Sequence, residues 1–433
     1  MTKSKLKVIT IVGTRPEIIR LSRVMPLLDR HLTQVIVHTG QNYDYELNEI
    51  FWNELELRKP DHFLNVDTTS LGATVGDIMR KSEEVLLKEK PDALLVLGDT
   101  NSCLSAYIAK RMHIPIFHME AGNRCFDENV PEETNRRIID HIADFNLVYT
   151  EHARRHLLSE GLPHRRIYLT GSPMKEVLDY YKPKIDQSDI LSQLSLLDPT
   201  ETGMGSAVRG MRNPEPGTRN LEPGTLNYFL VSVHREENVD NPENLNKILT
   251  VLNRLVEQYG YPVIVSTHPR TRKRLEAPHT AHRTPHTLIQ FLKPFGFLDY
   301  IHLQQNATCT ISDSGTISEE SAILGFPAVS LRNSMERPEA QDAGTIILTG
   351  FDPEIVLSCI NTTIAEFTPH PASATSFAKL RRSKKASAGE ARTTSRIQQV
   401  TDYSITDTSW RVLKLILGNT GLSNIWNGVK AYP

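Results

Sequence analysis

Short apolar runs alternate with helical patterns along the first part of the chain, and each run ends in a turn of small or polar residues. The runs are nearly continuous in apolar character and rich in β-branched residues, which is typical of parallel strands buried on both faces. They are Val8–Val12, Val35–His38, Ala93–Leu97, Ile114–Met119, Leu147–Tyr149 and Ile167–Leu169. The pattern predicts a doubly wound α/β domain.

The same alternation starts again in the second half of the chain. Its strand-like runs are Tyr228–Val233, Val263–Ser266, Thr308–Ser312 and Ala328–Leu331. The two units predict two Rossmann-like doubly wound domains that face each other across a cleft, over residues 1–172 and 173–404. The helical spacing of Thr408–Leu417 predicts that the segment 405–433 packs back on the first domain.

Three segments show neither the continuous apolar runs of strands nor the apolar spacing of helices. Residues 199–226 are rich in Gly, Pro, Arg and Asn, residues 278–285 in His and Thr, and residues 369–396 in Ser, Thr, Ala and Lys. Loops of this length are unusual in a compact domain, and such compositions are typical of flexible segments. We therefore interpret all three as insertions outside the catalytic machinery.

Composition is that of a soluble globular protein. Of the 433 residues 39% are hydrophobic and 23% charged, and a net charge of −2 lacks the basic excess typical of nucleic-acid binding. No run approaches the ~20 apolar residues of a membrane span, and no signal peptide is visible, so we expect a cytoplasmic protein without a membrane partner. The spacing of Cys103, Cys125, Cys309 and Cys359 indicates free thiols rather than a zinc or disulfide framework.

Two strand-to-helix turns have the chemistry of anion-binding loops. In the first, Gly13-Thr-Arg-Pro-Glu17, the glycine permits a tight backbone, the proline suits a helix start and Arg15 adds a phosphate donor. In the second, Asp313–Glu320, backbone N–H groups and hydroxyls can hold a diphosphate, and Arg337 lies further along the chain. The first loop lacks GxGxxG spacing, so no dinucleotide cofactor is predicted, and it also fits an ordinary βα turn.

Acidic side chains follow neighbouring strand-like runs. Asp99 and Glu120 each follow one, and Glu132 stands at the start of a helical pattern. Carboxylates that meet at one sheet edge suit proton transfer, because crowding and burial separate their pKa values. Helix capping by Asp99 and stabilisation of a helix N-terminus by Glu132 are the structural alternatives. His234, beside Arg235, is a candidate acid, base or phosphate donor.

The ordered set of motifs resembles that of the non-hydrolysing UDP-N-acetylglucosamine 2-epimerase family. The motifs are Gly13-Thr-Arg-Pro-Glu, Thr39-Gly-Gln, Gly98-Asp-Thr, Glu120-Ala-Gly, Pro131-Glu-Glu, His234-Arg, Asp313-Ser-Gly and Glu336-Arg-Pro-Glu, and they span nearly the whole chain. The resemblance implies a glycosyltransferase-B-like (GT-B-like) architecture, a homodimer and an isomerase that acts on a UDP-sugar.

The resemblance also implies a mechanism. A base removes the proton at C2 of the sugar while UDP leaves C1, a 2-acetamidoglycal stays bound, and UDP adds back as a proton returns to the opposite face. Departure of the diphosphate drives removal of a proton that is not acidic by itself, so diphosphate binding is part of the catalysis. Neither a metal nor a nicotinamide cofactor is required.

The family's functional residues correspond to particular positions of this sequence. The implied acid/base carboxylates are Asp99, Glu120 and Glu132, and His234 corresponds to the catalytic or diphosphate-contacting histidine. The implied substrate-binding residues are Arg15, Arg20, Gln41, Arg124, Arg235, Ser314, Gly315, Thr316, Glu320 and Arg337. Among them Ser314 would contact phosphate and Glu320 ribose.

The sequence departs from the usual pattern of the family at several of these positions. Arg20 stands where the UDP-N-acetylglucosamine enzymes usually carry Lys, and Thr316 and Ser318 replace the usual Gly and Gln. The segment from Glu120 to Pro131 differs from the usual Gly-Leu-Arg-Thr pattern and is shorter. It resembles the branch that forms UDP-N-acetyl-L-fucosamine from UDP-2-acetamido-2,6-dideoxy-L-talose. Conversion of UDP-N-acetylglucosamine to UDP-N-acetylmannosamine is the alternative, and either product would feed bacterial surface polysaccharide synthesis.

Three further interpretations stay open. A glycosyltransferase of the same fold would also bind a UDP-sugar but would require an acceptor. A hydrolysing 2-epimerase would share the glycal intermediate and release free sugar and UDP. A UDP-sugar sensor would bind without turnover, although binding alone does not call for several ionisable groups at the sugar.

Overall fold

The computed structural model describes residues 5–40, 51–196, 226–276, 286–366 and 400–429. Apart from Leu226, the three predicted insertions lie outside these residues, as does Gln41. The chain divides into two compact units, and the boundary between them falls at Tyr181 and Lys182, beyond the predicted division at 172 and 173. The described residues from Thr401 to Val429 belong to the first unit.

Parallel strands form the sheet of the first unit. They are β1 (Lys7–Val12), β2 (Thr33–His38), β3 (His62–Phe63), β4 (Ala93–Leu97), β5 (Ile116–Ala121), β6 (Phe145–Val148) and β7 (Ile167–Leu169). Their spatial order is β3-β2-β1-β4-β5-β6-β7, so the direction of winding reverses between β1 and β4. Each neighbouring pair is parallel, as the continuous apolar runs predict.

Helices connect these strands. They are α1 (Arg15–Leu21), α2 (Val24–His31), α3 (Leu71–Glu89), α4 (Ser105–Arg111), α5 (Pro131–Ile142), α6 (Glu151–Ser159) and α7 (Met174–Ile185). Local sequence accounts for several starts: the hydroxyl of Ser70 accepts a hydrogen bond from the N–H of Ala73 at α3, and Thr150 caps α6 in the same way. The buried core of this unit joins β1, β2, β4 and β5 to α3 and α4.

The second unit repeats the topology with a smaller sheet. Its strands are β8 (Phe229–Ser232), β9 (Val263–Ser266), β10 (Ile289–Leu292), β11 (Cys309–Ser312), β12 (Ala328–Ser330) and β13 (Ile347–Leu348). Their order is β10-β9-β8-β11-β12-β13, with parallel neighbours and a reversal between β8 and β11. Its helices are α8 (Ile190–Gln193), α9 (Glu236–Val239), α10 (Pro242–Tyr259), α11 (Pro269–Leu275), α12 (Phe297–Asn306), α13 (Ile317–Leu324), α14 (Pro338–Asp342) and α15 (Pro353–Glu366).

The sequence pattern predicts the central strands and misses three at the sheet edges. The missed strands are β3, β10 and β13, each of which ends one of the two sheets. Two of them have only two residues, and most of the residues in β10 are only partly buried. Edge strands as short or as exposed as these lack a continuous apolar run, so periodicity gives little signal for them.

The last helix, α16 (Thr408–Trp426), packs on the first unit and extends well beyond the helical stretch that the sequence predicts. The hydroxyl of Thr408 donates to the carbonyl oxygen of Thr170 at 3.1 Å, and the N–H of Ser409 donates to Glu176 at 2.9 Å. Val412, Leu413 and Ile416 are fully buried. The later turns also contact the first unit: Asn424 donates to the carbonyl oxygen of His113 at 2.9 Å, and the ring of Trp426 lies 6.2 Å from that of Phe145.

The four cysteines carry free thiols, as their spacing predicts. Throughout the part of the chain that the structure describes, no helix combines the length and apolar character of a membrane span. The same residues contain no group of three or more His, Cys, Asp or Glu side chains that could hold a metal ion.

A buried histidine ends β2 and supports the turn that follows. The ring of His38 is fully buried and stacks on Phe63 with 4.8 Å between ring centroids. Its Nδ1 accepts a hydrogen bond of 3.0 Å from the N–H of Gly40, so the ring is neutral in this arrangement. Burial lowers the pKa of His38 from 6.5 to about 4.

We expect this histidine to make the stability of the fold depend on pH. The unfolded chain takes up the proton near pH 6.5 and the folded chain only near pH 4, so the stabilisation is complete above the first value and is lost as the pH falls towards the second. Denaturant unfolding at about pH 7.5 and about pH 4.5 should show that His38→Gln removes ~2–3 kcal/mol of the acid-induced loss. Replacement of exposed His31 is the matched control, and an equal pH dependence in wild type and His38→Gln would contradict this assignment.

Candidate active site

The candidate site residues lie beside the points where the strand order of each sheet reverses. In open α/β sheets, ligands bind outside the carboxyl ends of the strands where the strand order reverses. In the first unit the loops after β1 and β4 flank this point, and they carry Arg15 and Asp99. In the second unit the loops after β8 and β11 flank it, and they carry His234 and Ser314.

Glu120 lies on strained backbone at the end of β5. Its φ is +67°, in the left-handed region, and the pairing of β5 with β6 shifts register between Met119 and Ala121. Such a bulge re-aims a side chain, and strain of this kind concentrates at functional sites. The carboxylate of Glu120 accepts hydrogen bonds from Arg20 Nη1 and, at 3.3 Å, from Asn123 Nδ2. The predicted residues Arg20 and Glu120 therefore form a buried ion pair.

Asp99 lies beside this pair and has an arginine partner of its own. Its Oδ2 accepts a hydrogen bond of 2.6 Å from Arg136 Nε, and its carbonyl oxygen accepts one of 2.9 Å from Asn135. A Cβ added to Gly98 would lie 3.3 Å from Glu120 Oε2, which brings the Glu120 carboxylate against the residue next to Asp99. The sequence expectation that these two carboxylates share one sheet edge is met.

Beneath Glu120, the buried carboxylate of Asp140 fixes the end of β5. It accepts hydrogen bonds from the N–H of Gly122 at 3.2 Å and from Arg124 Nη1 at 2.7 Å, and it lies 2.9 Å from Nδ1 of His118. His118 Nε2 in turn lies 2.9 Å from the carbonyl oxygen of Gly98. Burial raises the pKa of Asp140, but His118 and Arg124 outweigh it and leave the pKa below its ordinary value.

Arg124 and the acidic start of α5 have surroundings that the sequence did not reveal. The Arg124 side chain is fully buried, and its guanidinium contacts Asp140 and, through two bonds of 2.7 Å, Glu160. Contact between Arg124 and substrate would require these bonds to break.

Glu132 is half-buried at the second position of α5, whereas its neighbour Glu133 is buried and accepts hydrogen bonds from Cys125 and Arg136. Burial raises the pKa of Glu133, but these contacts leave it lowered.

In the second unit, Asp313 joins the loops after β8 and β11. Its fully buried carboxylate accepts hydrogen bonds from the N–H of His234 at 3.0 Å and of Arg235 at 2.9 Å, and from the side chain of Asn238 at 2.9 Å. Nδ1 of His234 lies 3.2 Å from Asp313 Oδ1, and the imidazole remains partly exposed. A carboxylate in this position orients the ring, which is the arrangement that acid/base histidines use.

The second anion loop is pre-organised by its own hydroxyls and by a carboxylate. Ser314 Oγ lies 3.0 Å from Thr316 Oγ1 and accepts a hydrogen bond from the N–H of Thr316. A Cβ at Gly315 would lie 2.9 Å from Glu336 Oε2, so a larger residue here would displace the Glu336 carboxylate. Arg235 Nη2 contacts Glu336 Oε1 at 2.9 Å, which holds the guanidinium beside the loop.

The remaining predicted residues differ in how accessible they are. Arg15 at the start of α1 lies over the ring of Phe51 with 5.3 Å to its centroid. Glu320 is buried on α13 and accepts a hydrogen bond of 2.7 Å from Gln304. Arg337 is almost completely buried and pairs with Glu319 at 2.5 Å. Gln41 lies outside the described residues.

Sequence patterns missed three carboxylates that organise these loops, namely Glu17, Asp313 and Glu336. Each stands inside a recognised motif, but its role in organising the loops becomes visible only from its contacts in the structure. For Glu17 a signal existed: Thr14-x-x-Glu17 before an apolar helix face has the form of a capping box. Asp313 binds the distant His234, so no local pattern reveals it. Glu336 pairs with Arg332 four residues earlier and also with the distant Arg235, and only the second contact links it to the loop after β8.

This geometry agrees with comparisons to known proteins. The sequence matches the UDP-N-acetylglucosamine 2-epimerase family over residues 27–204 and 208–400. It is 37% identical to the UDP-N-acetylglucosamine 2-epimerase of Methanococcus maripaludis over 359 residues, which cover 82% of this chain and 90% of that protein. The chain therefore belongs to the UDP-N-acetylglucosamine 2-epimerase family.

Solved structures of the family share the fold. The UDP-N-acetylglucosamine 2-epimerase from Rickettsia bellii is 42% identical with a TM-score of 0.78, over 98% of this chain and 100% of that chain. The Methanocaldococcus jannaschii UDP-GlcNAc 2-epimerase in complex with UDP-GlcNAc and UDP is 30% identical with a TM-score of 0.76, over 95% and 99%. The predicted α/β class and GT-B-like fold are confirmed, and the protein is an isomerase, a UDP-sugar 2-epimerase.

We expect the close packing at Gly122, directly after β5, to make the stability of the fold sensitive to any side chain at this position. Gly122 has φ +82°, and an added Cβ would overlap the carbonyl oxygen of Ala153 and lie 3.0 Å from Leu157 Cγ. Gly161 has φ +86°, and no atom of the described residues lies within 4 Å of an added Cβ, so it is a matched control for backbone strain alone. Both alanine variants should lose about 1–2 kcal/mol for the left-handed backbone. Gly122→Ala should lose a further ~1–3 kcal/mol through the clash, and equal losses in denaturant unfolding would contradict this.

Proposed function

We propose that this isomerase inverts C2 of a UDP-2-acetamido sugar by eliminating UDP and adding it back across a bound 2-acetamidoglycal. The observation that carries the proposal is a pair of carboxylates at neighbouring strand ends, each with its own arginine: Glu120 with Arg20, and Asp99 with Arg136. A base takes the C2 proton, the C2–H electron pair forms the C1–C2 double bond, and the C1–O bond breaks as UDP leaves. UDP then adds back and re-forms the C1–O bond while a proton reaches C2 from the opposite face, which consumes the double bond and completes the inversion.

The second unit has the chemistry to hold the departing nucleotide. We assign the diphosphate to the loop Ser314–Thr316 at the start of α13, together with His234 and Arg235. Glu320, one turn into the helix, is our candidate for the ribose hydroxyls. Stabilisation of the leaving diphosphate favours elimination, because the negative charge that develops on it is the main electrostatic change of the step. A homodimer, which the family resemblance implies, and a cytoplasmic location are part of the proposal.

For the sugar we propose UDP-2-acetamido-2,6-dideoxy-L-talose, with UDP-N-acetyl-L-fucosamine as product for surface polysaccharide synthesis. The support is the segment from Asn123 to Val130, which differs from the usual pattern of UDP-N-acetylglucosamine enzymes, and the arginine at position 20. Asn123 donates to Glu120, so this segment touches the proposed proton-transfer group. UDP-N-acetylglucosamine is the second candidate, and the names of the relatives from Methanococcus maripaludis and Rickettsia bellii favour it.

We expect Asp99→Asn and Glu120→Gln to keep UDP binding and to lose C2 exchange by ~10²–10⁴-fold, because each removes a proton-transfer group. The measurement is deuterium incorporation at C2 by proton NMR in D2O, beside UDP affinity by calorimetry. Glu84→Gln, on an exposed face of α3, is the matched control. Undiminished exchange in both site variants would remove these carboxylates from the mechanism.

The two candidate sugars should be separated by the wild-type protein in D2O. We expect deuterium at C2 and a new UDP-linked epimer with UDP-2-acetamido-2,6-dideoxy-L-talose, and neither with UDP-N-acetylglucosamine. Exchange with UDP-N-acetylglucosamine alone would reverse the substrate assignment. Release of free sugar would indicate a hydrolysing enzyme, and bound UDP without exchange in either tube would favour a glycosyltransferase or a sensor.

A further inference from the structure

Glu17 is a buried carboxylate whose oxygens are divided between two loops. It is the third residue of α1 and only 2% exposed. Its Oε2 accepts hydrogen bonds from the backbone N–H groups of Gly13 and, at 2.8 Å, Thr14. Its Oε1 accepts hydrogen bonds of 2.6 Å from the hydroxyls of both Thr100 and Ser102. One side chain thus holds four donors.

These donors come from opposite sides of the reversal point in the first sheet. Gly13 and Thr14 follow β1, whereas Thr100 and Ser102 follow β4, and these strands are hydrogen-bonded neighbours. The contacts span more than eighty positions of sequence, so they fix the two loops relative to each other. Glu17 therefore connects the backbone on either side of the point where a ligand is expected to bind.

Both connected loops lead directly to the groups of the proposed reaction. Arg20 lies one turn after Glu17 on α1 and pairs with Glu120. Asp99 immediately precedes Thr100 and pairs with Arg136. A shift of α1 relative to the β4 loop would move Arg20 and Asp99 apart. The alignment of the two carboxylate–arginine pairs consequently depends on the contacts of Glu17.

Burial makes the charge of Glu17 costly to the fold, although its capping-box contact helps to begin α1. Burial raises the pKa of Glu17, against the opposing effect of its hydrogen bonds to Ser102, Thr100, Gly13 and Thr14. A raised pKa means that the folded state disfavours the charged form, which costs stability above the ordinary pKa. All four donors named above are neutral groups. What distinguishes this side chain is therefore the geometry of its contacts, because its two oxygens accept hydrogen bonds from both loops at once.

We propose that Glu17 is a positioning residue for the epimerase reaction, which holds the loops after β1 and β4 in the alignment that Arg20, Glu120 and Asp99 require. This inference rests on the proposed function. It assigns no contact with substrate to Glu17, which acts only through the groups that it aligns.

Two substitutions at Glu17 separate positioning from charge. In Glu17→Gln the amide oxygen can face the backbone N–H groups, which only donate, while the amide NH₂ faces the hydroxyls, which can turn and accept. Glu17→Gln should therefore keep most of kcat and be at least as stable as wild type. Glu17→Ala loses all four contacts and should lower kcat by about 10²-fold, the order expected for a misalignment of ~1 Å. Its affinity for UDP should change less than about twofold, because the proposed UDP loops belong to the second unit.

A second variant tests the same link from the other side. Thr100→Val with Ser102→Ala removes the hydroxyl contacts and leaves the start of α1 intact, so it remains informative if Glu17→Ala fails to fold. It should lower kcat in the same way. Glu176→Ala is the matched control, because Glu176 also joins two segments of the first unit but contacts Ser409. It should reduce stability and leave kcat unchanged.

Deuterium uptake of the backbone gives a readout that is independent of turnover. The segment 99–105 should exchange faster in Glu17→Ala than in wild type and Glu17→Gln. Normal kcat and normal uptake in folded Glu17→Ala would overturn the proposal, as would a Glu17→Gln variant as inactive as Glu17→Ala. Faster uptake in a protein whose wild type exchanges no sugar at C2 would support the link between the loops and refute only the proposed function.

Discussion

The loops of this enzyme depend on buried carboxylates that accept hydrogen bonds across the reversal point of each sheet. Glu17 does this between β1 and β4, and Asp313 does it between β8 and β11. Both use backbone N–H groups that the parallel strands leave unpaired at their carboxyl ends. The cost of burying such a carboxylate is offset by several donors at once, so the loops that supply those donors are tied to one geometry.

The charged pairs of the proposed site rest on this framework. Arg20 follows Glu17 on α1, and Asp99 precedes the hydroxyls that Glu17 binds, so their positions are set before any ligand enters. Glu120 has a strained, left-handed backbone. The buried carboxylate of Asp140 holds the adjoining chain by accepting a hydrogen bond from the N–H of Gly122. Pre-organisation of this kind suits a reaction in which proton removal and departure of a diphosphate must coincide.

Much of the fold follows from the hydrophobic pattern, and the site follows from it only in part. The central strands β1, β4, β8 and β11 are predicted because both faces are buried, whereas the edge strands β3, β10 and β13 carry no such signal. Strand ends predict that Asp99 and Glu120 meet. The pattern cannot show which acid each arginine meets: Arg20 pairs with Glu120, Arg124 with Asp140 and Arg337 with Glu319.

The sequence by itself determined the two doubly wound units, the central strands and the family, because these depend on local periodicity and on short ordered motifs. The tertiary structure alone decided which carboxylates organise the loops and which arginines face inward. Glu17 and Asp313 have partners more than seventy positions away, and Glu120 acquires its direction from a bulge. Contacts of that range arise only when the strands pair, since pairing brings distant loops to the same edge of the sheet.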